Sequence, residues 1–458
     1  MEKIAAFFKR GKAEVDMTEG SILRHILVFA LPLLIGNLFQ QLYNMVDTWV
    51  VGNFVSNEAF SAVGTVGPTV NMLIGFFSGL SSGAGVVISQ SYGAGRKDRV
   101  HDAVHTAILM TLILGVVLTF VGIAFVPLAV KLANTPEEVA PLSEQYLRIY
   151  FSGIMGLLLY NMGAGIFRAI GNSLLPFLFL VISALLNTGL DLLFVLVFGR
   201  GVDGVAYATI IAQGVSAILI FIMLLRTDSC ARLKLRDLKI HWSILGSIFR
   251  IGIPAALQMA VTAFSNIFVM GYINHFGKHV MSGWTAYSKV DQLLFLPMQS
   301  ISLASTTFVG QNLGANQTDR AKKGVRVALM LSLASTALLS VPVMTFAPPV
   351  VAFFNSTPEV VEHGSLFLRF ITPFYLLCCI NQVYASALRG AGNSRAPMVI
   401  MLSSFVLFRQ IYLFVMSNYI SNTILWIAFS YPAGWIVCSA LTLLYYRLVP
   451  LDKHRLKA

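Results

Sequence analysis

The sequence predicts an all-α polytopic membrane protein of 12 transmembrane helices, arranged as two six-helix lobes related by a parallel repeat. Three observations predict it. Of the 458 residues, 57% are hydrophobic and only 11% charged, against roughly 25% charged in a soluble domain. The apolar residues fall in runs of about 20 or more, long enough to cross a hydrocarbon core of roughly 30 Å as helices. Motifs in the first half of the chain also return in the second half at a fixed offset. A helix satisfies its backbone groups within one segment, so runs of this length read as helices and not as barrel strands.

Apolar runs bounded by turn and charge clusters place the spans at about 24–51, 58–89, 102–130, 138–167, 175–199 and 204–225, then at 243–274, 280–310, 324–347, 360–388, 396–418 and 423–446. The lobes are then residues 1–225 and 244–458, joined by the basic linker 226–243, the longest polar stretch between spans. With 12 spans both termini and alternate loops share one side. That side carries 24 Lys and Arg, whereas the opposite loops offer only Lys131, Arg148, Arg200 and Lys278. The positive-inside rule makes the richer side cytoplasmic. The expectation is a multi-pass protein of a bacterial plasma membrane, both termini cytoplasmic and its outer surface solvated by lipid. The first apolar stretch has no small-residue cleavage pattern after it and reads as a retained helix, not a signal peptide.

The net charge of +12 is therefore mostly topological. No basic patch interleaved with stacking aromatics points to a nucleic-acid partner. Cys230, Cys378, Cys379 and Cys438 lack CxxC spacing, so neither a disulfide framework nor a cysteine zinc site is expected. Without HExxH, GxSxG or paired metal-ligand motifs, an enzyme with catalytic residues is not expected either.

The internal repeat is specific. Gln90 to Arg99 (QSYGAGRKDR) returns as Gln311 to Arg320 (QNLGANQTDR), a shift of 221 residues. Arg168, Gly171, Asn172, Ser173 and Pro176 return as Arg389, Gly392, Asn393, Ser394 and Pro397 at the same shift, and Pro32 and Asn44 have counterparts in Pro254 and Asn266 at a shift of 222. Each half holds an even number of spans, so the halves are parallel repeats about an axis along the membrane normal. The repeated loops read as helix punctuation, with Gly and Pro ending helices and Asp and Arg at their ends, in preference to substrate contacts.

Polar residues inside the spans carry the chemistry. In the first span Asn37, Gln40, Gln41, Asn44, Asp47 and Thr48 line one helix face. In the fifth, Ser183, Asn187 and Asp191 recur every fourth residue, with Thr188 beside them. Asp47 and Asp191 both fall late in outward-running spans. A carboxylate at that depth costs a few kcal/mol unless it is protonated, paired or hydrated, so binding a cation or a proton there acts as a switch. The alternative is a plain hydrogen bond to a neighbouring helix. In the first span of the second half Gln258, Thr262, Ser265 and Asn266 line one face, polar but uncharged. Elsewhere that half carries Lys289 and Asp291, which either pair or leave the lysine to snorkel outward, as well as Arg409 near mid-span. Asn381, Gln382 and Tyr384 line the tenth span. Aromatic and Met side chains suit apolar cations, although most must pack or face lipid.

Pro32 with Gln40, Gln41 and the Asn44–Asp47 run, the Gln90–Arg99 loop, Arg168 to Pro176, Asn187 to Asp191 and the second-half copies together resemble the MATE (multidrug and toxic compound extrusion) family, in its DinF-like and MepA-like branch, over essentially the whole chain. The resemblance implies a secondary active antiporter exporting cationic amphipathic compounds or drugs by alternating access, in exchange for protons or sodium ions. It implies cation coupling at Asp47, Asn187 and Asp191, with Gln40 and Thr209 as further members and the same carboxylates and amide as a possible sodium site. Asn37, Gln41, Asn44, Gln258, Asn266, Lys289, Asp291 and Gln382 are the expected substrate-cavity residues. No cofactor beyond the coupling ion is expected, and the chain is taken to act as a monomer. Where the NorM-like branch has acidic residues in the seventh and tenth spans, this chain has Thr262 and Cys379. Lys289 and Arg409 keep open a second reading, a lipid-linked glycan flippase of the same superfamily.

Overall fold

The computed structural model describes residues 15–133 and 135–456. Most of the basic N-terminal tail and the last lysine of the C-terminal tail, both part of the cytoplasmic charge count, lie outside the described residues. All regular structure among the described residues is helical. The first half runs α1 (Ile22–Phe54), α2 (Asn57–Gly93), α3 (Lys97–Leu132), α4 (Ala140–Ser152), α5 (Ile154–Ala169), α6 (Leu174–Leu192) ending in a π turn at Leu193–Val197, and α7 (Val202–Arg226). The second runs α8 (Trp242–Asn274), α9 (Lys278–Gly314), α10 (Thr318–Thr345), the short α11 (Ala347–Ala352), α12 (Pro358–Ile371) and α13 (Tyr375–Gly390). It closes with α14 (Arg395–Leu402), α15 (Arg409–Val415), α16 (Ile424–Ala428) and α17 (Ser430–Leu448), α15 lying between the π turns Ser403–Phe408 and Met416–Ile420.

Eleven of these stretches are long and apolar enough to cross a membrane, and the bent pair α4–α5 supplies a twelfth. That pair turns by 49° at Gly153, a break that hydropathy alone does not reveal. A second interruption, the 3₁₀ turn Thr372–Phe374 between α12 and α13, falls at Pro373, whose missing N–H removes a helical hydrogen bond. Outward faces are apolar: Phe120 and Val121 on α3, and Met330, Leu338 and Val341 on α10, are more than half exposed. In water such faces would be unfavourable, whereas in lipid they are required.

The described residues group into two compact units. One contains Val15, Asp16 and Leu31–Ala256, and the other contains Met17–Ala30 and Leu257 onward. The changeovers fall inside α1 and α8, beside Pro32 and Pro254. The division into six-span lobes at 226–243 follows the sequence repeat, and we retain it as a proposal. In the first unit Val50, Phe77, Leu147, Tyr150, Phe151 and Val205 belong to one buried cluster. The start of α8 docks there because Gly79 and Gly83 of α2 have no Cβ; one would meet the backbone of Ala256 or Gly252. In the second unit Trp284, Tyr287, Phe367, Tyr375 and Trp435 lie at the centre of another cluster.

The repeated loops are helix ends built alike. The N–H groups of Ala94, Gly95 and Arg96 donate to Gln90, Tyr92 and Ser91 at 3.1, 2.9 and 3.1 Å. At the shift of 221 those of Ala315, Asn316 and Gln317 donate to Gln311, Leu313 and Asn312 at 3.0, 3.1 and 2.8 Å. Closing a helix this way needs one left-handed residue, supplied by Gly95 (φ 69°) and Asn316 (φ 62°). Likewise Gly171 and Gly392 take φ 88° and 92°, and the side chains of Asn172 and Asn393 each accept an N–H, from Leu175 and Ala396, at 3.1 Å.

Candidate functional site

In the first unit, helical spacing on α1 sets Gln40, Tyr43 and Asp47 on one face, and α6 delivers Ser183, Asn187 and Asp191 on another. Asp191 is 0% and Asn187 2% exposed, while Asp47 is half-buried. The carboxyl groups of Asp47 and Asp191 stand within hydrogen-bonding reach of each other. Tyr43 lies near the Gln40 side chain and in the field of Asp47. Tyr146 of α4 is close to both carboxyl groups and reaches the Thr209 hydroxyl, which itself donates to the Val205 carbonyl at 3.0 Å. The Ser183 hydroxyl donates to the Ala212 carbonyl at 2.8 Å.

Apart from the contact between the two acids, both Asp191 oxygens, Oδ1 of Asp47 and both polar atoms of the Asn187 side chain have no hydrogen-bond partner among the described residues. Two bare carboxylates so close together repel strongly in a low-dielectric interior. A proton or a small cation between them removes that repulsion, and the Asn187 carbonyl adds a hard oxygen of the kind such cations prefer. The set therefore fits a proton or a small hard cation.

Gln40, Thr209, Asn187, Asp47 and Asp191 are thus gathered in one place. Asn37 and Gln41 are half-buried along α1, and Asn44 is exposed; the Thr48 side chain lies outside the described ones. Sequence reasoning missed Tyr43, Tyr146 and Tyr150. The last two, one helical turn apart with rings 6.3 Å between centroids, carry an i, i+4 signal that was legible but was absorbed into the general aromatic content.

The second unit separates its polar residues into three clusters. The Gln258 side chain contacts the Met401 sulfur at 2.7 Å and accepts from Arg389 at 3.4 Å. Arg389, counted among the loop charges, is in fact buried (8% exposed) and also donates to the Ser386 hydroxyl at 2.8 Å. Arg409, 3% exposed, donates to Ser265 at 2.7 Å and Asn266 at 2.8 Å and sits 4.8 Å over the Tyr431 ring. Asp291 accepts from the Tyr375 hydroxyl and, at 3.4 Å, from Tyr287. Lys289 is exposed, two residues away along the helix and so on a different face; of the two alternatives, outward placement is the one observed. Gln382 and Thr262 are half-buried, and the Cys379 thiol donates to Thr336 at 3.2 Å.

Eleven apolar helical spans, with the bent pair as a twelfth, and apolar outward faces define a multi-pass membrane protein. The MatE family model matches residues 32–193 and again 254–415, so the chain belongs to the MatE family, and the family match itself falls on both copies of the repeat. The probable multidrug resistance protein YoeA of Bacillus subtilis is 30% identical over 441 residues, covering 94% of each chain. The probable multidrug resistance protein NorM of Thermotoga maritima is 29% identical, covering 93% of this chain and 92% of its own. Among solved structures, a MOP superfamily transporter from Pyrococcus furiosus superposes with a TM-score of 0.90 over 95% of this chain and 97% of its own at 22% identity, which establishes the shared fold. The chain is a transporter and not an enzyme.

Proposed function

We propose that this chain is a secondary active antiporter of the bacterial plasma membrane, exporting cationic amphipathic compounds in exchange for protons or sodium ions. The carrying observation is the contact between Asp47 and Asp191, with Asn187 beside them and with both Asp191 oxygens and Oδ1 of Asp47 lacking a hydrogen-bond donor among the described residues. An ion entering the pair cancels its repulsion, and its departure restores it. That difference biases two conformations, which is what exchange by alternating access requires. Asn37, Gln41 and Asn44, on the same helix as Asp47, are proposed substrate contacts. The names of the relatives, multidrug resistance proteins in Bacillus subtilis and Thermotoga maritima and the multidrug export protein MepA in Staphylococcus aureus, support export of drug-like molecules. Both termini are proposed to be cytoplasmic and the working unit a monomer. The flippase reading rests on Lys289, which is exposed, and on Arg409, one of whose terminal nitrogens already serves Ser265 and Asn266 beneath the Tyr431 ring, so antiport is the reading favoured.

The test is efflux of a fluorescent organic cation from proteoliposomes under independently imposed proton and sodium gradients. Gradient-driven efflux by the wild type, lost in Asp47→Asn and Asp191→Asn, supports the proposal. Equal efflux with neither gradient, or transport of a lipid pyrophosphate alone, contradicts it.

A further inference from the structure

The start of α3 and the segment preceding α8 share a histidine cluster that the transport reading does not use. His101 and His105 are one turn apart on α3, their ring centroids separated by 3.9 Å. Nε2 of His101 lies 3.4 Å from Oδ2 of Asp237, and one ligand atom from each of His101, His105 and Asp237 falls within 4.8 Å of the others.

The other ring nitrogens are already committed. Nδ1 of His101 lies 3.7 Å from Oδ1 of Asp102, an oxygen also 3.5 Å from Nε2 of His241. Nδ1 of His105 bonds the His101 carbonyl at 2.7 Å, which places the proton there. Its Nε2 lone pair is then free to accept the Lys234 N–H at 3.0 Å, with the Lys234 carbonyl at 3.1 Å from the same nitrogen. A carboxylate or carbonyl on one imidazole nitrogen, leaving the other as a donor, is how metal-binding histidines are oriented.

We propose that His101, His105 and Asp237 form a binding site for one divalent transition-metal ion of the Zn²⁺ type, clamping the start of α3 to the segment before α8. Two imidazole nitrogens and one carboxylate oxygen match the ligands of a tetrahedral Zn²⁺ site with water in the fourth position, whereas Ca²⁺ and Mg²⁺ favour all-oxygen shells. His105 is 1% exposed and cannot swing into solvent. His101 and Asp237, with 29% and 44% of their side chains exposed, leave the ion a way in. On binding, Nε2 of His105 exchanges the Lys234 N–H for the metal, and Asp237 keeps the segment attached. The HDAVH stretch has the histidine spacing of an HExxH motif but carries Asp102 where that motif has glutamate, so a search for the glutamate form passes over it.

The test uses the full chain in detergent, free of affinity tags and stripped with a chelator. Zn²⁺ binding is measured by equilibrium dialysis and by the shift in thermal unfolding, with Ca²⁺ as control and Co²⁺ absorption reporting tetrahedral geometry. One saturable Zn²⁺ per chain is expected, weakened at least about tenfold by His101→Ala or Asp237→Asn and about tenfold by Asp102→Asn. Zn²⁺ is expected to raise the unfolding midpoint of the wild type and not that of the double variant His101→Ala/Asp237→Asn. Absence of saturable micromolar binding, or binding that the double variant retains, overturns the proposal. His105→Ala is avoided because it also removes the hydrogen bond to Lys234.

Discussion

Asp47 on α1 and Asp191 on α6 hold their carboxyl groups within hydrogen-bonding reach of each other, although 144 residues separate them in the chain. Neither has a basic partner among the described residues, and Asn187, one turn before Asp191, has both polar atoms unsatisfied in the same place. On the proposed function, an ion completes the arrangement.

From that arrangement comes the first expectation. Asp191→Asn removes the repulsion together with the ion site, so the variant is expected to fold with an unfolding midpoint no lower than the wild type while gradient-driven efflux falls at least about tenfold, equivalent to about 1.4 kcal/mol. Asp47→Asn is expected to do the same, and the double variant to lose little more, because residues that act as a unit are not additive. Efflux assays on all three, paired with thermal unfolding, check this.

On the proposed function, protons and sodium ions compete for the same oxygens. Where sodium binds, lowering the pH fills the pair with a proton and is expected to displace radioactive sodium from the purified wild type. Asp191→Asn is expected to bind little sodium at any pH. Sodium binding indifferent to pH over the acid range would separate the two ions' sites.

Arg409 is a structural cation in this account. Arg409→Ala leaves Ser265 and Asn266 without their charged donor and removes the stacking on Tyr431; lost hydrogen bonds to a buried charge cost about 1.5–3 kcal/mol. The expected result is a clear drop in the unfolding midpoint. Arg409→Lys is expected to recover it only in part, since an ammonium lacks the planar fork.

The left-handed helix ends give a local test. Asn316 holds φ at 62° and its side chain accepts from Arg455, so Asn316→Gly, which relieves the backbone but gives up that exposed contact, is expected to be near neutral and Asn316→Val to destabilise by about 1–2 kcal/mol. Gly95, its counterpart 221 residues earlier, is expected to tolerate Asn far better than Val. Thermal unfolding of the four variants reads the difference.

How far these features were legible in the sequence depends on distance along the chain. The spans, the repeat and the faces holding Asp47 and Asp191 follow from hydropathy, one offset and helical periodicity, all local signals. The bend at Gly153 was hidden because hydropathy marks one run over 138–167 and does not report the direction of the helix axis. Arg389 read as a loop charge because it stands at a helix end, where only tertiary packing decides between solvent and core. Gln258, Asn266 and Asp291 looked like one polar lining. Their partners Met401, Arg409 and Tyr375 come from other helices, and no spacing within one helix encodes which neighbours they meet. Tyr146 was overlooked for the same reason, since its role depends on Thr209 and two acids on three different helices.

In the proposed antiport, substrate and coupling ion exclude one another through the Asp47–Asp191 pair. Ion release on adding an organic cation to purified protein in weakly buffered detergent, read as a pH change or as displaced radioactive sodium, tests this. The wild type is expected to release close to one ion per chain and Asp47→Asn/Asp191→Asn none; equal release from both proteins would contradict the exclusion.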